Sequence, residues 1–121
     1  RRGKVLVIDD EPMMGVVVRR TLGGEHDVMF LGNAGAALAL LGAGERFDVM
    51  LCDVMMPHMT GVEFFEVLAR DLPDEASKVI FLTGGAFTPG TRGFLERSQN
   101  VRLEKPFEPV QLRALVNDRI R

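Results

Sequence analysis

Several things are scarce in this chain, and each scarcity excludes something. There is one cysteine, Cys52, in 121 residues. That leaves no internal disulfide and no Cys-rich metal site. Cys52 lies inside an apolar run, so a buried and inert thiol is expected. No apolar run approaches the ~20 residues of a membrane span, and no signal-peptide pattern is visible. No contact of this domain with a membrane is therefore expected. Net charge is only −2, so no broad electrostatic case for nucleic acid exists. Arg1, Arg2 and Lys4 read as a solvated basic start. A GxxxxGK phosphate loop is absent, as are internal repeats and low-complexity segments. What remains, with 46% hydrophobic and 26% charged residues, is ordinary for one globular domain, taken here as residues 1–121. The chain opens on Arg1-Arg2 without Met, as a domain cut from a longer protein would.

The positive signal centres on Val49 to Asp53, where four apolar residues run up to one carboxylate and a Met-Pro break and the turn pair Thr60-Gly61 follow. Such a run, bounded by turn signals, predicts a strand buried on both faces. Similar runs occur at Lys4 to Asp9, Asp27 to Leu31, Lys78 to Thr83 and Val101 to Glu104; the central one extends back to Phe47.

Helical patterns fall between them. Pro12 opens the first, with Met14, Val17, Val18 and Leu22 on one face. Asn33 is positioned to cap the second, through Ala37, Leu38 and Leu41 to Gly42. Thr60 and Glu63 have the spacing of a capping box, with Phe65, Leu68, Ala69 and Leu72 as the stripe of the third. Thr88 to Asn100 is the weakest element, because Gly90 and Gly93 each cost about 1 kcal/mol inside a helix; a short mobile helix is expected around Thr91 to Arg97. Pro109 opens the last, with Leu112, Leu115, Val116 and Ile120 on its face. Strict alternation of strand and helix predicts a doubly wound parallel sheet with helices on both faces.

In a parallel sheet all strands end at one edge, where ligands bind. That edge would gather Asp9 and Asp10 from the first strand, Asp53 from the third, Thr83 from the fourth and Lys105 after the fifth. Three carboxylates so close repel one another unless a cation sits among them. Oxygen ligands with open positions suit Mg²⁺. A carboxylate there can attack a phosphoryl group as nucleophile, with metal and ammonium offsetting the charge on the phosphoryl oxygens. His58, in the loop after Asp53, and His26 read as solvated loop and turn residues. The seven methionines read as core and loop filler.

The stretches LVIDDEP, LCDVMMPHMTG, FLTGG and LEKPF together resemble the receiver domain of two-component response regulators, over essentially the whole chain. The resemblance implies a flavodoxin-like sheet in the order 2-1-3-4-5. It makes Asp53 the phosphoacceptor, Asp10 a direct Mg²⁺ ligand, Asp9 a ligand through water and the backbone carbonyl of Met55 a further ligand. It makes Lys105 the phosphoryl-binding lysine and Thr83 the switch hydroxyl, with a cis bond before Pro106 and small Gly84 leaving room for the phosphoryl group. The implied partner is a histidine kinase or phosphotransfer domain, with signalling onward to an output domain or protein in the cytoplasm. The domain would not be a dedicated enzyme. The LEKPF ending is similar to that of receivers in hybrid sensor histidine kinases.

One departure is Arg102, where the family commonly has Tyr or Phe. Movement of the Gly-rich stretch Gly84 to Gly93 is expected in place of an aromatic relay. Gly85 offers no side chain to orient water, which implies modest self-hydrolysis. Among rivals, a haloacid-dehalogenase-type phosphatase needs a second Asp where Met55 stands. A flavin module needs a phosphate loop where Asp9-Asp10-Glu11 would repel phosphate. A degenerate receiver serving only as an interaction module is opposed by the full set of Asp9, Asp10, Asp53, Thr83 and Lys105.

Overall fold

The computed structural model describes residues 1–85 and 88–120. Five parallel strands form one sheet in the order β2-β1-β3-β4-β5. They are β1 (Lys4–Ile8), β2 (Asp27–Leu31), β3 (Val49–Asp53), β4 (Val79–Thr83) and β5 (Arg102–Glu104). The helices between and after them are α1 (Pro12–Leu22), α2 (Ala34–Gly42), α3 (Gly61–Asp71), α4 (Pro73–Ala76), α5 (Pro89–Arg97) and α6 (Pro109–Ile120). The flavodoxin-like order is the one expected.

Apolar residues run without a break through β3 and β4 because both sheet faces are covered. One face packs Leu6, Met50, Cys52 and Phe81 against Ala37, Phe64 and Leu68. The other packs Val5, Leu51 and Leu82 against Val18, Leu112 and Val116. Phe65, Phe81 and Phe94 form a tilted trio with centroids 5.5–5.6 Å apart, joining α3, β4 and α5. Asn100 donates to the carbonyls of Ala76 and Val79, tying the loop before β5 to the base of β4.

The caps form as the sequence implies. The Asn33 side chain accepts from the Ala36 amide, and Thr60 and Glu63 complete a capping box. Several details differ. β1, β3, β4 and β5 are shorter than expected, and Phe47 is buried just ahead of β3. Pro73 starts a single extra turn, α4, instead of only ending α3. The buried stripe of α3 is Gly61, Phe64 and Leu68; Ala69 is exposed, because α3 is rotated so that Phe64 faces the sheet. Val17 is exposed, its expected place against the sheet taken by Gly15 beneath Phe30. α5 begins at Pro89, where the Thr88 hydroxyl caps Thr91, two residues earlier than expected. Of the Gly84 to Gly93 stretch, residues 86–87 lie outside the described residues.

His26 is not a turn residue in solvent. It is buried, its Nδ1 accepts from the Gly3 amide at 3.0 Å, and its Nε2 lies 2.6 Å from Asn117 Oδ1. Since Nδ1 accepts, Nε2 carries the proton and donates to Asn117. The ring therefore bolts α6 to the start of the chain. Glu25 extends this joint through Asn117 and Arg113. His58 is exposed, as expected, with φ of 69°. No helix among the described residues is long and apolar enough to cross a membrane.

Candidate functional site

The strand ends bring the predicted acids together. Asp9 follows β1, Asp53 is the last residue of β3, and Asp10 begins the turn into α1. Each offers a carboxylate oxygen, and these oxygens lie within 4.8 Å of one another. Asp9 is fully buried and Asp53 nearly so, while Asp10 is exposed.

Lys105 reaches back over them from beyond β5. Its Nζ donates to Asp9 Oδ2 at 2.8 Å and stands 3.5 Å from Asp53 Oδ2. Its backbone is tied to the end of β4. Its amide donates to the Thr83 carbonyl at 2.7 Å, and the Lys105–Pro106 bond is cis. Gly84 lets the lysine stem pass: a Cβ there would stand 3.3 Å from Lys105 Cβ. Thr83 is buried at the end of β4 and, with Lys105, lines a cleft.

Backbone geometry supplies the remaining contacts. Asp9 Oδ1 accepts from the Glu11 amide, and Asp53 Oδ1 accepts from the Met55 amide at 3.2 Å. The Gly61 amide donates to the Val54 carbonyl at 3.1 Å, seating α3 directly under the end of β3. Gly61, read from the sequence only as half of a turn pair, is therefore a supporting residue of the site. A Cβ on it would collide with the Asp53 carbonyl oxygen. Glu75 is a third buried acid, not singled out in the sequence, and it is answered by Lys78 at 2.9 Å and Arg46 at 3.7 Å at the opposite edge of the sheet.

The electrostatics follow from burial and crowding. Burial pushes the Asp53 carboxyl up to about 6, with Asp9 and Asp10 adding to the rise and the Met55 amide and Lys105 opposing it. Burial works against the Lys105 ammonium, yet the bond to Asp9 and the charges of Asp53, Asp9 and Glu11 hold its pKa above the ordinary lysine value. Burial, together with Asp53 and Asp9, pushes the Cys52 thiol up, so it is inert as expected. Three carboxylates facing one ammonium leave negative charge uncompensated, and an all-oxygen donor set of this kind fits a hard divalent cation.

A stability prediction follows. An aspartate raised from 3.8 to about 6 stabilises the metal-free fold most below pH 4, and that contribution is lost as pH rises through 6. Asp53→Asn keeps the group neutral throughout. In the presence of a chelator it will raise unfolding free energy at pH 7 by about 1–2 kcal/mol, allowing for screening by water at the rim, and by little at pH 4. Urea unfolding at the two pH values checks this; an equal effect at both would contradict it.

Comparison with known proteins agrees with the geometry. A family model described as "Response regulator receiver domain" matches residues 5–117. The chain is 32% identical over 120 residues to the hydrogenase transcriptional regulatory protein HoxA of Bradyrhizobium diazoefficiens, covering 98% of this chain and 24% of that protein. It is 31% identical over 121 residues to the DNA-binding response regulator MtrA of Mycolicibacterium smegmatis, covering 99% of this chain and 51% of that one. The chain thus spans between a quarter and a half of the length of these relatives. Among solved structures, the signal receiver domain of a signal transduction histidine kinase from Syntrophus aciditrophicus superposes with a TM-score of 0.82 at 25% identity, covering 96% of this chain and 88% of that one. The sheet order, the acid cluster at its carboxyl edge and the match across nearly the whole length lead to one conclusion: the chain belongs to the response regulator receiver domain family.

Proposed function

We propose that residues 1–121 act as one receiver domain that takes a phosphoryl group onto Asp53 from the phosphohistidine of a histidine kinase or phosphotransfer domain. The observation that carries this is the convergence of Asp9, Asp10, Asp53 and Lys105 from separate chain segments. An Asp53 carboxylate oxygen attacks phosphorus in line. The new O–P bond forms as the N–P bond breaks, and the imidazole leaves with the electron pair. The Lys105 ammonium offsets charge on the phosphoryl oxygens. The Thr83 hydroxyl donates to one of those oxygens after transfer and so registers the new state. Asp10, Asp53 and the carbonyl of Met55 would hold Mg²⁺ directly and Asp9 through water, and the ion would supply positive charge opposite the phosphoryl oxygens. Hydrolysis of the acyl phosphate resets the domain, which takes part in its own turnover without being a dedicated enzyme.

We place the domain in the cytoplasm, facing a kinase and an output domain or protein. The curated relatives are transcriptional regulators and favour a parent chain with a DNA-binding output. The likeness to a histidine-kinase receiver supports the hybrid kinase expected from the sequence as the second reading.

Incubation with a labelled acyl phosphate and Mg²⁺ tests the assignment. Wild type will acquire an acid-stable, hydroxylamine-labile label, and Asp53→Asn will not. Equal labelling would move the acceptor elsewhere. No labelling of either would make the domain a phosphorylation-independent interaction module.

A further inference from the structure

β5 pairs with β4 so that Arg102 lies beside Phe81 and Glu104 beside Thr83. Residues paired in this way project to the same sheet face. Leu103, between them, is buried on the opposite face with Leu82. Arg102 therefore shares the face of the Thr83 hydroxyl, two residues back and one strand across, a separation of about 8 Å that an arginine side chain spans. Both line a cleft of about 530 Å³ between β5 and α5, along with Gly85, Arg92, Glu96 and Lys105.

The three cations of this cleft differ in their commitments. Lys105 is shared between Asp9 and Asp53. Arg92 is already engaged. Arg102 is exposed, and its side chain has no ion pair or hydrogen bond among the described residues. At Gly85, which also lines the cleft, φ is 69°, and among the described residues a Cβ would meet nothing within 4 Å.

We propose that Arg102 is a charge-driven cover for the phosphorylated site. Phosphorylation adds negative charge and acceptor oxygens beside Thr83. The uncommitted guanidinium is drawn along the cleft toward Thr83 and Gly85. There it screens the phosphoryl group from attacking water and occupies the space beneath the first turns of α5. It is a positioning residue: it lengthens the life of the phosphorylated state and couples that state to α5. This rests on Asp53 as acceptor.

The test compares wild type with Arg102→Ala, Arg102→Gln and Arg102→Lys after labelling with an acyl phosphate and removal of the donor. All four will label, since Arg102 takes no part in transfer. Arg102→Ala and Arg102→Gln will lose label about three- to fivefold faster, the scale of one near-surface charge contact. Arg102→Lys will restore most of the lifetime, and the difference will shrink in 1 M salt. Amide exchange in residues 88–97 will slow on labelling in wild type and not in Arg102→Gln. Wild-type decay rates in Arg102→Gln, or a lifetime that follows side-chain bulk instead of charge, would overturn the proposal. Failure of wild type itself to label would overturn the acceptor assignment and this proposal with it, a result separate from altered decay.

Discussion

Lys105→Met will slow phosphoryl transfer to Asp53 by about a hundredfold, the loss expected when one preorganised cationic donor is removed from an acyl or phosphoryl site. The ammonium is already in place before any donor arrives, 2.8 Å from Asp9 Oδ2 and 3.5 Å from Asp53 Oδ2. It needs little reorganisation to meet the charge that spreads over the phosphoryl oxygens. A second consequence has the opposite sign. Lys105 competes with a divalent ion for Asp9, so its removal will tighten Mg²⁺ binding while transfer fails. The same substitution leaves Asp9, fully buried, with the Glu11 amide as its one partner among the described residues, so the metal-free variant will be less stable by about 3 kcal/mol. Initial labelling rates at saturating Mg²⁺ and calorimetric Mg²⁺ titration separate the effects. Calorimetry suits a chain with neither Trp nor Tyr to report by fluorescence. A variant that transfers at the wild-type rate would remove Lys105 from the chemistry; a variant that loses metal binding would mean its role is to organise the acids.

The strands and the site were legible in the sequence for a common reason. A parallel sheet buried on both faces demands continuous apolar runs, so each run marks its strand, and the polar residue that ends it marks the functional edge. Asp9, Asp10, Asp53, Thr83 and Lys105 all stand at such ends, and the first, second, third and fifth of these converge in the folded chain. Details set by rotation or by tertiary contacts were less accessible. Helical spacing put Phe65 in the buried stripe of α3; in the fold Phe64, about 100° away around the axis, is the fully buried residue, while Phe65 packs half-buried against Phe81. His26 carried no periodic signal at all. Its burial comes from Gly3 and Asn117, distant in sequence and on either side of it. Glu75 likewise carried no signal in the sequence; its burial comes with Lys78 and Arg46 pairing to it.

Gly61 had the least visible role and will show one of the largest effects on stability. Gly61→Ala will lower unfolding free energy by about 2–3 kcal/mol, the upper part of the range for overpacking. The added carbon would meet the Asp53 carbonyl oxygen, the Val54 Cα at 2.8 Å and the Asp53 carbonyl carbon at 3.0 Å. All three are backbone atoms of the segment that presents Asp53, and no rotamer change moves them aside. Either α3 backs away from β3, breaking the Gly61–Val54 hydrogen bond, or the end of β3 shifts and carries Asp53 with it. Both routes displace Asp53 from Lys105, so labelling will slow by about tenfold even at temperatures where the variant is fully folded. Gly42→Ala is the matched control: it ends α2, nothing lies within 4 Å of its added carbon, and helix propensity will make it neutral or stabilising by up to about 1 kcal/mol. Urea unfolding and labelling of both variants decide the matter. A Gly61→Ala domain as stable and as readily labelled as wild type would show that the end of β3 yields without consequence, and that the fit between α3 and the acceptor strand does not hold the site in register.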